Sequence, residues 1–111
     1  MTDKILVFCT CESVEEAGRI AQRLLDRRLA ACVSVTPEIV SQYRWEGAIE
    51  SSKEVGLTIK SQRRLFAMLR AEIRKLHSYK TPEILAVPVI DGDEDYLAWM
   101  EKEVASGTEE T

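Results

Sequence analysis

The feature that most constrains this chain is a long stretch of extended character that reverses direction at Glu46-Gly47. The runs on either side, residues 32–42 and 49–60, alternate and are rich in β-branched residues, as strands are. Strands of such length exceed the usual five to six residues or so. We therefore expect the outer half of this hairpin, around Tyr43 and Trp45, to pack beyond its own core, most simply on another copy of the chain.

The rest of the chain alternates between strand and helix patterns. Residues 4–11 are apolar at both alternating sets of positions, which indicates a strand buried on both faces. A helix is predicted from Ser13 to about Arg28, because a capping box precedes apolar residues at helical spacing. A second helix capped by Ser61 and a fourth strand over residues 83–89 follow, and a short third helix ends the pattern.

The order β-α-β-β-α-β, followed by a helix, predicts an α+β chain with a ferredoxin-like sandwich and a long hairpin between its second and third strands. The first and third strands are expected at the centre of the sheet. Two helices cover only one face of such a sheet, yet the first and fourth strands are apolar on both faces. The second face must therefore be buried by other means, most economically by self-association.

Length and composition predict one domain over residues 1–105 and a disordered tail at 106–111. The net charge of -4 argues against nucleic acid as a partner. No apolar run is long enough to span a bilayer and no secretory signal is evident, so we expect no membrane partner and a cytoplasmic location. The 3 cysteines are an odd number and are expected to stay reduced there.

Cysteine and histidine supply the candidate metal ligands. Cys9 and Cys11 project from one face of the first strand, and His77 lies in the turn before the fourth, so we expect all three at one end of the sheet. Thiolate and imidazole suit copper(I) or zinc. Two structural alternatives stay open: the cysteines are ordinary core residues, or His77 closes the second helix. Cys32 begins the second strand and should lie at the opposite end, unless another subunit brings its own copy nearer.

Large aromatic side chains are expected near the same end of the sheet. Our first interpretation of Tyr43, Trp45 and Tyr79 is that they anchor a subunit interface, where amphipathic rings are favoured. The second interpretation is a ligand cleft between subunits. The polar residues expected beside the same rings in that cleft are Glu54, Lys60, His77 and Glu83.

Four separated motifs give the chain a resemblance to a known family. They cover residues 29–33, 43–47, 77–84 and 92–99 and read LAACV, YRWEG, HSYKTPEI and GDEDYLAW. In this order and at these distances they resemble the CutA divalent-cation tolerance proteins. The resemblance extends from about Ile5 to Trp99, which is nearly the whole chain.

This resemblance implies a trimer of ferredoxin-like subunits, similar in architecture to the PII signalling proteins, and a link to copper and other divalent cations. It also implies copper ligands at Cys9 and His77. Leu76 stands where some family members carry a second histidine. Cys11 or a group from another subunit would therefore have to complete the site.

Two functional hypotheses follow from these observations. The first is a non-enzymatic homotrimer that binds copper or a similar divalent cation in metal tolerance; no orienting partner or oxyanion donor accompanies Cys9 and His77, so no catalysis is predicted. The second is a PII-like trimeric regulator that binds a small organic or nucleotide ligand at subunit clefts, which the aromatic hairpin and Lys60 suggest.

Overall fold

The computed structural model describes residues 1–106, so the predicted tail lies, apart from Ser106, outside the described residues. Its elements follow the predicted order. They are β1 (Lys4–Cys11), α1 (Val14–Asp26), β2 (Cys32–Trp45), β3 (Ala48–Gln62), α2 (Phe66–Leu76), β4 (Ile84–Pro88) and α3 (Glu94–Glu103). Within the described part of the chain, no helix is both long and apolar enough to cross a membrane.

The strands form one antiparallel sheet in the order β2-β3-β1-β4. β1 pairs with β3 on one side and with β4 on the other, so Cys9 lies opposite both Leu57 and Ile84. The predicted α+β, ferredoxin-like arrangement with β1 and β3 at its centre is therefore confirmed. Its edges are β4 and β2.

The hairpin between β2 and β3 reverses at the predicted residues, and both strands are longer than the predicted runs of residues 32–42 and 49–60. Its strands contain 14 and 15 residues. Glu46 and Gly47 both have positive φ angles, 49° and 84°, which is the backbone of a two-residue turn that follows the twist of the strands. The register shifts between Thr36 and Ile39, where Pro37 interrupts the ladder, as the sequence predicts.

The core lies between the sheet and the first two helices. Odd-numbered positions of β1 face it, and Val7 is fully buried. Ile20 of α1 and Leu69 and Ile73 of α2 are also fully buried and belong to the same apolar cluster. The helical periodicity that the sequence shows in these segments therefore corresponds to the packed face of each helix.

Ser61 does not cap α2, which corrects the prediction from sequence. It lies in β3, where its buried hydroxyl donates to the backbone carbonyl of Leu29 at 2.6 Å. A 3-10 turn over Arg63–Leu65 separates the strand from the helix. A serine before an apolar helical pattern is compatible with both roles, and the tertiary contact with Leu29 decides between them.

The face of the sheet opposite α1 and α2 is only partly covered. At one end α3 lies across this face. Two contacts place it there: the Lys4 amine lies 2.6 Å from the Glu101 carboxylate, and the Lys60 amine lies 3.2 Å from the Tyr96 hydroxyl. The helices therefore do not all cover one face. Further along β4, Leu85 remains 60% exposed, so part of the apolar second face is open in a single chain.

A buried carboxylate links the two core helices. Glu72 of α2 accepts hydrogen bonds from Arg23 at 3.2 Å and Arg27 at 2.8 Å, and its side chain is 5% exposed. Burial alone would raise the pKa of Glu72, but the hydrogen bond from Lys75 and the charges of Lys75 and the two arginines outweigh it and lower that pKa.

We predict that Glu72→Gln lowers the free energy of unfolding by about 2 kcal/mol at neutral pH, because the hydrogen bonds to a charged acceptor are weakened. A carboxylate whose pKa is depressed on folding stabilises above its unfolded pKa and loses that contribution as pH falls. Urea unfolding between pH 7 and pH 3 should therefore show a shallower pH dependence for Glu72→Gln than for wild type. Glu15→Gln, at an exposed site of α1, should leave both quantities unchanged; equal pH profiles for all three proteins would contradict the assignment.

Candidate metal centre

Cys9, Cys11 and His77 form a buried cluster at the end of the sheet. One potential ligand atom from each residue lies within 4.8 Å of those from the other two. The two thiols are free and fully buried, and the His77 side chain is 0% exposed. The predicted proximity of these three residues is therefore present in a single chain.

Strand alternation and a helix end bring the cluster together. Cys9 and Cys11 occupy odd positions of β1, which face the helices. α2 ends at Leu76, and the backbone N–H of His77 donates to Ile73 at 2.9 Å before the chain becomes extended at φ -80° and ψ 137°. This change of direction carries the imidazole back over the end of β1.

Both ring nitrogens of His77 are engaged. Nε2 lies 2.7 Å from the backbone carbonyl oxygen of Thr10, which can only accept, so Nε2 carries the proton. Nδ1 accepts the backbone N–H of Tyr79 at 3.0 Å. These two hydrogen bonds set the tautomer and orient the ring between β1 and the following turn.

Glu16 supports the turn that carries His77. Its buried carboxylate accepts the backbone N–H of Ser78 at 2.8 Å and that of Glu12 at 3.3 Å. Its Oε1 also lies 4.0 Å from Nδ1 of His77. Burial alone would raise the pKa of Glu16, but these hydrogen bonds and His77 outweigh it and lower that pKa.

The Glu16 carboxylate does not make the capping-box hydrogen bond that the sequence predicts. Its position three residues after Ser13 predicts a capping box, and the Ser13 hydroxyl does accept the Glu16 N–H at 3.1 Å. The Glu16 carboxylate, however, bonds to Glu12 and to Ser78, which is 62 positions further along the chain. Its role beside the cluster was therefore missed, because only the tertiary fold brings Ser78 to it.

The two thiols influence each other's ionisation. The close approach of Cys11, together with burial, raises the pKa of the Cys9 thiol, while the close approach of Cys9 lowers the pKa of Cys11. The Cys9 sulfur itself lies 3.8 Å from the backbone carbonyl oxygen of Thr10. One thiolate is thus stabilised by its neighbour, and a second negative charge beside it is opposed. A cation bound between the sulfurs would supply the charge that lets both ionise.

The donor set fits a soft or borderline cation. Two thiolates bound to one tetrahedral zinc ion, at about 2.3 Å each, lie roughly 3.8 Å apart. The potential ligand atoms of the cluster all lie within 4.8 Å of one another. Cysteine sulfur and histidine nitrogen are the donors that suit copper(I) and zinc, whereas magnesium and calcium prefer oxygen. The donor atoms present therefore suit such an ion, which would draw these side chains closer together.

Cys32 lies apart from this cluster within one chain. It pairs with Lys60, which in turn pairs with Leu6 of β1. Residues directly opposite on neighbouring strands share a face, so Cys32 lies on the face of the sheet away from Cys9 and Cys11. Its thiol is half-buried there.

Several of the predicted interface or cleft residues do come together, on the open face beside the cluster. The hairpin and the turn after His77 enclose a cleft of about 690 Å³, whose lining includes Tyr43, Trp45, Glu54, Tyr79 and Glu83. The Tyr79 hydroxyl donates to Glu54 at 3.0 Å, and its ring lies 4.8 Å from the imidazole of His77.

Lys60 does not line this cleft. Its amine bonds to the hydroxyl of Tyr96 on α3 and lies 5.4 Å from the centre of that ring. His77 is also separated from the cleft, since its side chain is buried behind Tyr79. The aromatic part of the predicted cleft is therefore present, while the two predicted basic groups lie elsewhere.

The ferredoxin-like sheet with a long hairpin defines a small α+β protein with a buried cluster of candidate metal ligands. The family model for "CutA1 divalent ion tolerance protein" matches residues 5–103. The chain belongs to this family.

Individual relatives support the same assignment. The "Divalent-cation tolerance protein CutA" of Archaeoglobus fulgidus is 43% identical over 98 residues, which cover 88% of this chain and 95% of the relative. The solved structure of the "Periplasmic divalent cation tolerance protein CutA" from Archaeoglobus fulgidus has a TM-score of 0.89 at 40% identity and covers 92% of this chain and 99% of its own. CutA from Xylella fastidiosa has a TM-score of 0.91 at 38% identity, covering 94% of this chain and 100% of its own.

We predict that Glu16→Ala destabilises the protein by about 2 kcal/mol, because two backbone N–H groups lose a charged acceptor. Thermal unfolding of the metal-free protein measures this loss. Glu12→Ala is the matched control, since it removes an exposed neighbouring side chain but keeps the backbone N–H that Glu16 accepts. Equal stability of the two variants would show that Glu16 does not support the turn.

Proposed function

We propose that this protein is a non-enzymatic metal-binding protein that holds copper(I), or a similar cation such as zinc, between Cys9, Cys11 and His77. The single observation that carries the proposal is the convergence of these donors within 4.8 Å. Cation binding at this cluster would be the chemical basis of the divalent-ion tolerance for which the family is named.

The surroundings of the cluster support a soft cation over a hydrated one. The thiols and the imidazole are buried, so an ion must exchange its water for sulfur and nitrogen ligands on entry. Copper(I) and zinc bind such ligands strongly, whereas magnesium loses its water reluctantly. Cys11 supplies the third donor that the absent second histidine would otherwise provide.

We also propose that the chain functions as a homotrimer. Large apolar side chains remain exposed in a single copy, including Trp45 at 57%, Ile49 at 65% and Leu85 at 60%. Trp45 and Ile49 lie on the outer part of the hairpin and Leu85 lies on the edge strand β4. Burying these groups between copies would remove both exposed apolar surface and unpaired strand edges.

The cleft on the open face supports the PII-like alternative only weakly. Its volume of about 690 Å³ is that of a small-molecule site. Its charged lining residues are Glu54, Glu83 and Lys80, and Lys60 bonds to Tyr96 instead. This balance disfavours the phosphates of a nucleotide, so metal binding remains the principal proposal.

A cytoplasmic location fits the same chemistry. Cys9 and Cys11 must be reduced to bind a cation, and a reducing compartment keeps thiols in that state. The Archaeoglobus fulgidus neighbour carries the description periplasmic. Fractionation of cells that express the full-length gene would decide the compartment for this chain.

We predict that one copper(I) ion binds per chain and that His77→Ala and Cys9→Ser each weaken binding by at least tenfold, since each removes a ligand. Anaerobic titration against a competing chelator measures the affinity. Cys32→Ser should bind as wild type does, because Cys32 lies on the other face of the sheet. Equal affinity of wild type, His77→Ala and Cys9→Ser for copper(I) would refute the proposed site.

We predict a trimer at micromolar concentration that Trp45→Ala weakens, because the exposed indole is expected to be buried between copies. Sedimentation equilibrium gives the mass of both proteins. Arg44→Ala, which changes the neighbouring side chain on the opposite face of β2, should remain trimeric. A wild-type monomer, or a Trp45→Ala trimer of undiminished stability, would refute this assembly.

A further inference from the structure

Both ring nitrogens of His77 are occupied by hydrogen bonds. A neutral imidazole has one donor and one acceptor. The donor, Nε2–H, bonds to Thr10, and the acceptor, Nδ1, receives the N–H of Tyr79. A cation can use His77 as a ligand only if at least one of these hydrogen bonds is lost.

Both possible ligand atoms lead to the loss of the same bond. If Nδ1 becomes the ligand, its lone pair is no longer available to the Tyr79 N–H. If Nε2 becomes the ligand, the ring proton must lie on Nδ1, which then donates and cannot accept. In that second case Glu16 Oε1, at 4.0 Å, is placed to accept a hydrogen bond from Nδ1–H after a shift of about 1 Å. Either way, the Tyr79 N–H is released from His77.

Tyr79 also contacts the cleft. Its hydroxyl donates to Oε2 of Glu54, a β3 residue that is only 9% exposed and lines the cleft. Tyr79 therefore connects the cluster to the cleft. Its backbone N–H donates to His77, and its hydroxyl donates to the Glu54 carboxylate on the open face. The backbone N–H of Ser78, the residue between His77 and Tyr79, donates to the Glu16 carboxylate and holds that part of the turn in place.

We propose that binding of a soft cation at the cluster releases Tyr79 from His77, shifts the turn, and breaks the Tyr79–Glu54 hydrogen bond in the cleft. The inference rests on the proposed function and adds to it a switch, through which an internal ion changes the surface of the hairpin. Thiol protons displaced on binding leave to solvent. Breaking the Tyr79–Glu54 bond opposes cation binding, so binding and the bond are reciprocally coupled.

Hydrogen exchange of the full-length protein tests the release directly, with Zn²⁺ alone as the probe. The Tyr79 amide should exchange slowly without metal, because it donates to a buried nitrogen, and severalfold faster with one equivalent of Zn²⁺ bound. Amide NMR signals of Glu54 and its neighbours in β3 should shift at the same stoichiometry. Zn²⁺ binding with unchanged Tyr79 exchange would overturn the switch and leave the proposed function standing.

Affinity measurements test the reciprocal effect. Tyr79→Phe keeps the backbone N–H and the ring but removes the hydroxyl, so binding no longer has to break a hydrogen bond to a carboxylate. Its Kd for Zn²⁺ should fall about tenfold, because a tenfold change in Kd corresponds to the net free energy of one hydrogen bond. Tyr96→Phe is the matched control, because it removes a hydroxyl bonded to charged Lys60 at the other end of the sheet.

The outcomes distinguish a failure of the switch from a failure of metal binding itself. A lower Kd for Tyr79→Phe but not for Tyr96→Phe supports the switch. An unchanged or higher Kd for Tyr79→Phe contradicts it, even if wild type binds Zn²⁺ tightly. If wild type binds neither Zn²⁺ nor copper(I), the proposed function fails, and the switch fails with it.

Discussion

The structure depends on the central position of β1. Because β3 and β4 pair with it on both sides, its side chains can point only toward the helices or toward the open face. The alternation that places Val7 in the core also places Cys9 and Cys11 there. The candidate ligands are therefore part of the packed interior rather than an addition to the surface, and their orientation follows from the same pairing that holds the sheet together.

Burial of the candidate ligands determines how the proposed metal site would operate. A group of backbone and carboxylate contacts holds His77 and the turn after it, chiefly through Thr10, Glu16 and Tyr79. These contacts hold the residues in position, but they also occupy both ring nitrogens of His77 with hydrogen bonds. In the proposed metal site, the affinity for an ion would be the difference between the new ligand bonds and the internal bonds that they replace, which would favour ions that bind sulfur strongly.

The sheet and the Cys-His cluster could be predicted from sequence because they follow from strand period and chain order. The positions of Cys9, Cys11 and His77 required no knowledge of side-chain contacts. Ser61, Glu16 and Lys60 were harder, since a serine, a glutamate or a lysine has several possible partners. The fold selects Leu29 for Ser61, Ser78 for Glu16 and Tyr96 for Lys60, all distant in sequence.

The irregularity near Pro37 reaches further than a local bend. Thr36 lies opposite Gly56, whereas Ile39 lies opposite Glu54, so β2 contains one additional residue at this point. One additional residue inverts the alternation of every position beyond it. Odd positions that would otherwise point toward the helices, including Tyr43 and Trp45, point instead to the open face. Deleting a single residue here would turn both rings to the wrong side, so the chain tolerates replacement at this place far better than a change of length.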